Sequence, residues 1–292
     1  MVYFFILSSV FSGVIAQSIF KLLSQSRPVI AVLNAMFFLA VFFALIISLL
    51  FGTGVNVNIL VVVMGFFNAF AAWLFFKGIK INLTQGILFL PLGGFIGVLL
   101  STLFLGEWKL LDPSSISGLL TIVGVIGSLG AMSFFGTSKT KARYIKKIWV
   151  LCIIGQTLIN GFIYFLVKYI AMQNVAKPTY VLSWYLGAFV GAVAIRLVIN
   201  NWKEMFPPRN YVLYIILSIT LLISLVTYYL ALQLAPATLV VPFSQFLNIL
   251  VGSLAGLFIF QERKFFDRRE WWGILIGVSS LIFLIAGTNS IF

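Results

Sequence analysis

The chain has 292 residues, of which 62% are apolar and only 9% charged, with no histidine, a single cysteine and a formal net charge of +13. A mean hydropathy of +1.15 excludes a soluble domain and leaves an all-α integral membrane protein. Cys152 has no partner for an intramolecular disulfide, and without histidine there is no imidazole or thiol cluster to hold a metal.

A membrane span takes about 20 apolar residues, so a chain of this length holds roughly ten helices and little else. The apolar runs place them at 2–22, 28–51, 58–79, 84–105 and 114–135 in the first half. The second half gives 148–171, 178–199, 210–232, 237–260 and 269–288. Met1 to Phe20 lacks a positive leader and a small-residue cleavage site, so it reads as the first span and not as a signal peptide. Pro28 and Pro178 open the second helix of each half, where a missing N–H does no harm. Asp112 and Asp267 read as N-caps of the fifth and tenth helices. Glu107 and Glu262 stand beside Lys109 and Lys264 and read as local interfacial ion pairs, while Gly118 and Gly273 read as close helix contacts.

Those residues form an echo. Gly97, Glu107, Lys109, Asp112 and Gly118 recur 155 positions later as Gly252, Glu262, Lys264, Asp267 and Gly273, which marks a repeat of half the chain. Residues 1–135 and 148–292 are then two five-helix repeats, joined by the basic stretch 136–147. Five spans is an odd number, so the second copy enters the membrane in the opposite sense and the repeats are inverted. With ten alternating spans, 16 of the 19 Lys and Arg fall on the side of the basic connector. That side is expected to be cytoplasmic in a cell membrane, with both termini outside. Positive charges scattered in ones and twos between apolar runs are loop charges facing a lipid bilayer, not a nucleic-acid surface.

The chain resembles the drug/metabolite transporter superfamily in its ten-helix EamA-like branch. The resemblance rests on Ser12-Gly13 to Phe20-Lys21, Pro28, the ending Leu103 to Lys109, Tyr229 to Ala237, Phe258 to Arg263, Trp272-Gly273 and Gly277. It spans essentially the whole chain. The arginine often found six residues into the second helix of such proteins is Asn34 here and Trp184 in the second copy, so no role of that arginine is carried over. The resemblance implies a basket of helices one to four and six to nine around a central cavity, with helices five and ten outside it.

Polar side chains facing lipid are costly, so polar stripes on helices point inward. Gln156, Asn160, Tyr164 and Lys168 follow one another at four-residue steps on helix six, and Ser9, Gly13, Gln17 and Lys21 do so on helix one. Ser244, Gln245 and Asn248 lie on helix nine beyond Pro242; Gln85, Pro91 and Gly93-Gly94 make a similar broken segment in helix four, and both prolines are candidate gating elements or, equally, static kinks. Asn34, Asn68, Trp73, Trp184, Tyr185 and Tyr228 complete the candidate substrate-binding set of Gln17, Lys21, Gln156, Asn160, Tyr164, Lys168, Ser244, Gln245 and Asn248.

All six acids, Glu107, Asp112, Glu204, Glu262, Asp267 and Glu270, fall at predicted helix ends or in loops. A mid-membrane carboxylate that trades a proton for a cationic drug is therefore not expected. Nor are a metal site, a cofactor or a catalytic constellation. The expected function is a secondary transporter, more exporter than importer, of a small polar organic solute: amino-acid-like, zwitterionic or anionic, with Lys near each mouth. A non-transporting membrane partner or sensor on the same fold, and a flippase for a lipid-linked sugar, are the other readings. Monomer and homodimer both stay open.

Overall fold

A computed structural model of the chain describes residues 1–51, 54–81, 90–134, 147–199, 211–261 and 268–289. They form α1 (Val2–Ser26), α2 (Val29–Leu50), α3 (Ile59–Ile81), α4 (Leu90–Phe104) and α5 (Ile116–Ser133), then α6 (Lys147–Met172), α7 (Lys177–Ile199), α8 (Tyr211–Leu234), α9 (Ala237–Phe258) and α10 (Arg268–Asn289). A 3₁₀ turn, Glu107–Leu111, follows α4, and no strand occurs among the described residues. Seven helices, α1 to α3 and α6 to α9, are long and apolar enough to cross a membrane; α4, α5 and α10 carry the shorter apolar stretches Gly93–Phe104, Ile116–Ser128 and Trp271–Gly287. This is the build of a multi-pass membrane protein.

The helices carry apolar side chains on exposed as well as buried faces. On α1, Phe4, Leu7, Phe11, Ile15 and Leu22 are exposed while Ile6, Val10, Val14 and Phe20 are buried. A helix that is hydrophobic all round is stable only when lipid takes the face that protein does not. Proline acts as the sequence predicts at both second helices: Pro28 precedes the first residue of α2, and Pro178 lies in the first turn of α7. Helix α1 runs a turn past its predicted end, so Lys21 lies inside the helix, buried, and not at its mouth.

The halves interleave. α3 and α2 both pack on α7, α1 on α8, α4 on α6, and α5 on α10. Without water to expel, such contacts depend on close backbone approach. A Cβ added at Gly187 would overlap the Val62 carbonyl across the α3–α7 contact, and one at Gly124 would stand 2.7 Å from the Leu284 nitrogen across the α5–α10 contact.

Two local expectations are corrected here. The side-chain cap of α5 is Ser115, whose Oγ accepts the Gly118 N–H at 3.0 Å. Asp112 instead folds the preceding turn, its Oδ1 accepting from the N–H and Oγ of Ser114 at 2.9 and 2.8 Å. Gly118 serves that turn too, because a Cβ there would overlap the Asp112 carbonyl, not a neighbouring helix. The predicted cap Asp267, together with Glu262 and Lys264, lies outside the described residues, as does Gln85.

Candidate functional site

A cavity of about 250 Å³ opens between the halves. Seven helices wall it: α1 through Ser9, Gly13 and Gln17; α2 through Met36 and Phe37; α3 through Asn68, Ala71, Ala72, Phe75 and Phe76; α6 through Asn160, Ile163, Tyr164 and Val167. The second half adds Tyr180, Trp184 and Tyr185 of α7, Leu221, Ser224, Leu225 and Tyr228 of α8, and Ser244, Gln245 and Asn248 of α9. None of the described lining comes from α4, α5 or α10, and none of it is charged.

The wall is cross-tied by hydroxyls and amides. Ser9 Oγ donates to the Ser224 carbonyl and Ser224 Oγ donates back to the Ser9 carbonyl, each at 2.9 Å, joining α1 to α8. Gln245 Nε2 donates to Tyr164 Oη at 2.7 Å, joining α9 to α6. Tyr164 in turn sets its ring edge-on to Tyr228, centroids 6.0 Å apart. Other polar atoms here are unspent: Gln17 Oε1, Gln245 Oε1, Asn248 Oδ1 and Tyr180 Oη have no hydrogen-bond partner among the described residues. A buried polar atom without a partner costs free energy until water or a ligand supplies one. The cavity can therefore hold a small molecule through neutral hydrogen bonds and aromatic faces.

Of the fifteen candidate residues, ten line this space: Gln17, Asn68, Asn160, Tyr164, Trp184, Tyr185, Tyr228, Ser244, Gln245 and Asn248. Five stand elsewhere. Asn34 is buried between helices, its Nδ2 donating to the carbonyls of Ile30 at 2.9 Å and Ala192 at 3.5 Å. Trp73 carries the Lys77 ammonium 3.7 Å from its ring centre. Gln156 is buried outside the lining, with Nε2 lacking a partner among the described residues. Lys21 places Nζ 4.3 Å from the centre of the Phe260 ring.

Lys168 is the clearest departure. Its Nζ donates to the carbonyls of Leu232 at 2.9 Å and Ala235 at 2.8 Å, where α8 ends. At 4.0 Å lies Glu107 Oε1. Glu107 is spent in the same place: Oε1 accepts the Ala237 N–H at 2.8 Å and Oε2 the Thr238 N–H at 2.9 Å, the first two N–H groups of α9. The predicted pairing of Glu107 with Lys109 is thus replaced by one with α9 and Lys168, and Lys109 is exposed. The physical reason is the corner between α8 and α9. A tight turn leaves carbonyls bare at the end of one helix and N–H groups bare at the start of the next, and in an apolar bundle both must find partners.

Sequence reasoning overlooked Ser224, Phe37, Phe75, Phe76 and Tyr180 as lining, because one hydroxyl or ring among so many carries no signal of direction. Ser9 was readable from the helix-one stripe.

Fold and cavity together define a helical membrane bundle built around an internal chamber. No protein-family model and no curated protein matches the chain. Among solved structures, one described only as the crystal structure of a protein superposes with a TM-score of 0.67 over 95% of this chain and 98% of its own, at 15% sequence identity. At that identity the likeness is one of fold.

Proposed function

We propose that the chain is a secondary transporter that carries a small, neutral or zwitterionic organic solute across a cell membrane by alternating access, exporting it. The observation that carries this reading is the cavity shared between the two halves, whose described lining is uncharged and holds polar atoms without a partner among the described residues. A scaffold gains nothing from buried amide oxygens left without donors, whereas a chamber that alternately takes up water and solute uses them. The anionic solutes allowed by the sequence drop out of the proposal, since no Lys or Arg is among the described lining and Lys168 is consumed by helix ends.

The proposal includes ten spans in two inverted repeats of the drug/metabolite transporter kind. The helix contacts support it: exchanging α1 to α5 with α6 to α10 turns α3–α7 into α2–α8, α1–α8 into α3–α6, and α4–α6 into α1–α9, all of which are packed pairs. Loop charges put the basic connector 136–147 in the cytoplasm and both termini outside.

The test is reconstitution into liposomes. A thermal-shift screen of neutral and zwitterionic metabolites selects ligands, and flux of the selected ones is then measured. Stabilisation and saturable flux are expected; a broad panel with neither overturns the reading.

A further inference from the structure

The cluster at Glu107 and Lys168 joins parts of the chain far apart in sequence. It runs in one electrostatic order: the carbonyl end of α8, the Lys168 ammonium, the Glu107 carboxylate, and the N–H end of α9. Each contact sets opposite partial charges together, because a helix presents negative carbonyls at its C-terminus and positive N–H groups at its N-terminus. Glu107 comes from the turn that follows α4, and Lys168 from the last part of α6. Four helix ends are tied at one point.

That point borders the cavity. Lys168 follows directly on the lining residue Val167 and stands one helical turn beyond Tyr164. Beside it, the lining residue Tyr180 stacks on fully buried Tyr229 with centroids 3.9 Å apart. Tyr229 Oη donates to the Val175 carbonyl at 2.9 Å, fastening the layer to the connection between α6 and α7. Glu107 is 7% exposed and Lys168 8% exposed, so solvent is kept from both charges.

We infer that Glu107 and Lys168 form a gate: they hold the α8–α9 corner against α4 and α6, and this end of the cavity opens when the corner leaves them. This rests on the alternating-access reading above and adds its moving part. In the open state both charges and both helix ends exchange their partners for water. The bonds therefore exist in one conformation only, and weakening them shifts the population toward the other.

The experiment reads conformation, not transport. Leu225→Cys places a thiol in the cavity, in a Cys152→Ser background, and a membrane-impermeant thiol reagent is applied to right-side-out and to inside-out vesicles. Glu107→Gln and Lys168→Met are each expected to raise the labelling rate from one side by about tenfold, within the usual span of conformational coupling. The rate from the opposite side is expected to stay level or fall. The double variant Glu107→Gln/Lys168→Met buries no lone charge, so it carries the same readout should the single variants fail to fold. An unchanged rate from both sides, or an equal rise from both, overturns the gate. Because labelling needs no solute, one-sided opening without flux of any solute would refute the transporter reading and leave the gate standing.

Discussion

Toward each end the cavity lining includes one ring of a stacked aromatic pair, with a lysine near the pair. At one end Tyr180 lies on Tyr229, with Lys168 beside them; at the other Phe20 lies on Phe76 with centroids 3.6 Å apart, next to Lys21. The two lysines close similar polar stripes in the sequence, yet their surroundings differ. Lys168 meets two carbonyls and a carboxylate in fixed directions, whereas Lys21 lies over the face of Phe260. Charge-assisted hydrogen bonds hold one geometry and are lost at once when it changes; an ammonium over a ring tolerates sliding. The first end is thus built to be open or shut.

Mutation can break this contrast, most severely at Glu107. Glu107→Ala leaves the Lys168 charge buried and two N–H groups of α9 bare, and is expected to cost about 3–5 kcal/mol of stability by detergent-solubilised denaturation. Glu107→Gln/Lys168→Met should lose much less, since the two sites act as one unit. Lys168→Met comes next at about 2 kcal/mol, the scale of hydrogen bonds to a charged group, because Glu107 keeps its two N–H donors. For its contact with the Phe260 ring alone, Lys21→Met is expected to cost about 1 kcal/mol. If Lys21→Met proves as damaging as Lys168→Met, the two ends are equivalent and the contrast fails.

Between the ends, Asn248→Leu should move the unfolding free energy by less than about 0.5 kcal/mol, since it removes an acceptor that has no hydrogen-bond partner among the described residues. The same variant should abolish ligand-induced thermal stabilisation, which separates a binding residue from a packing one. The smallest effect belongs to Asp112, whose bonds from Ser114 hold its carboxyl below the usual range. A lowered folded-state value contributes stability that is present above the unfolded value and lost as pH falls through the folded one. Wild type and Asp112→Asn should therefore have a constant difference in unfolding midpoint near neutrality and converge only in acid.

Much of the fold was legible. In a chain of apolar runs separated by charges and prolines, lipid and backbone satisfaction leave helices as the solution, and the observed α2, α7 and α10 agree with the predicted spans within a residue or so at each end. The cavity-facing amides were legible for the same reason: Gln17, Asn160, Gln245 and Asn248 are polar where lipid would penalise them. Lys168 misled because a stripe shows which face points inward but not how far along the axis the chamber extends. Asp112 misled because three small polar residues, Asp112, Ser114 and Ser115, compete for one helix start, and the turn geometry chooses among them.

By itself, then, the sequence determined where the chain is helical, which faces avoid lipid and where the loop charges gather, because each follows from neighbours a few residues apart in an apolar solvent. Only the tertiary structure decided which groups Glu107 and Lys168 meet. Their partners are backbone groups exposed by a turn at Pro236, and which distant side chain reaches a helix end depends on how four helices meet, not on anything written beside either residue.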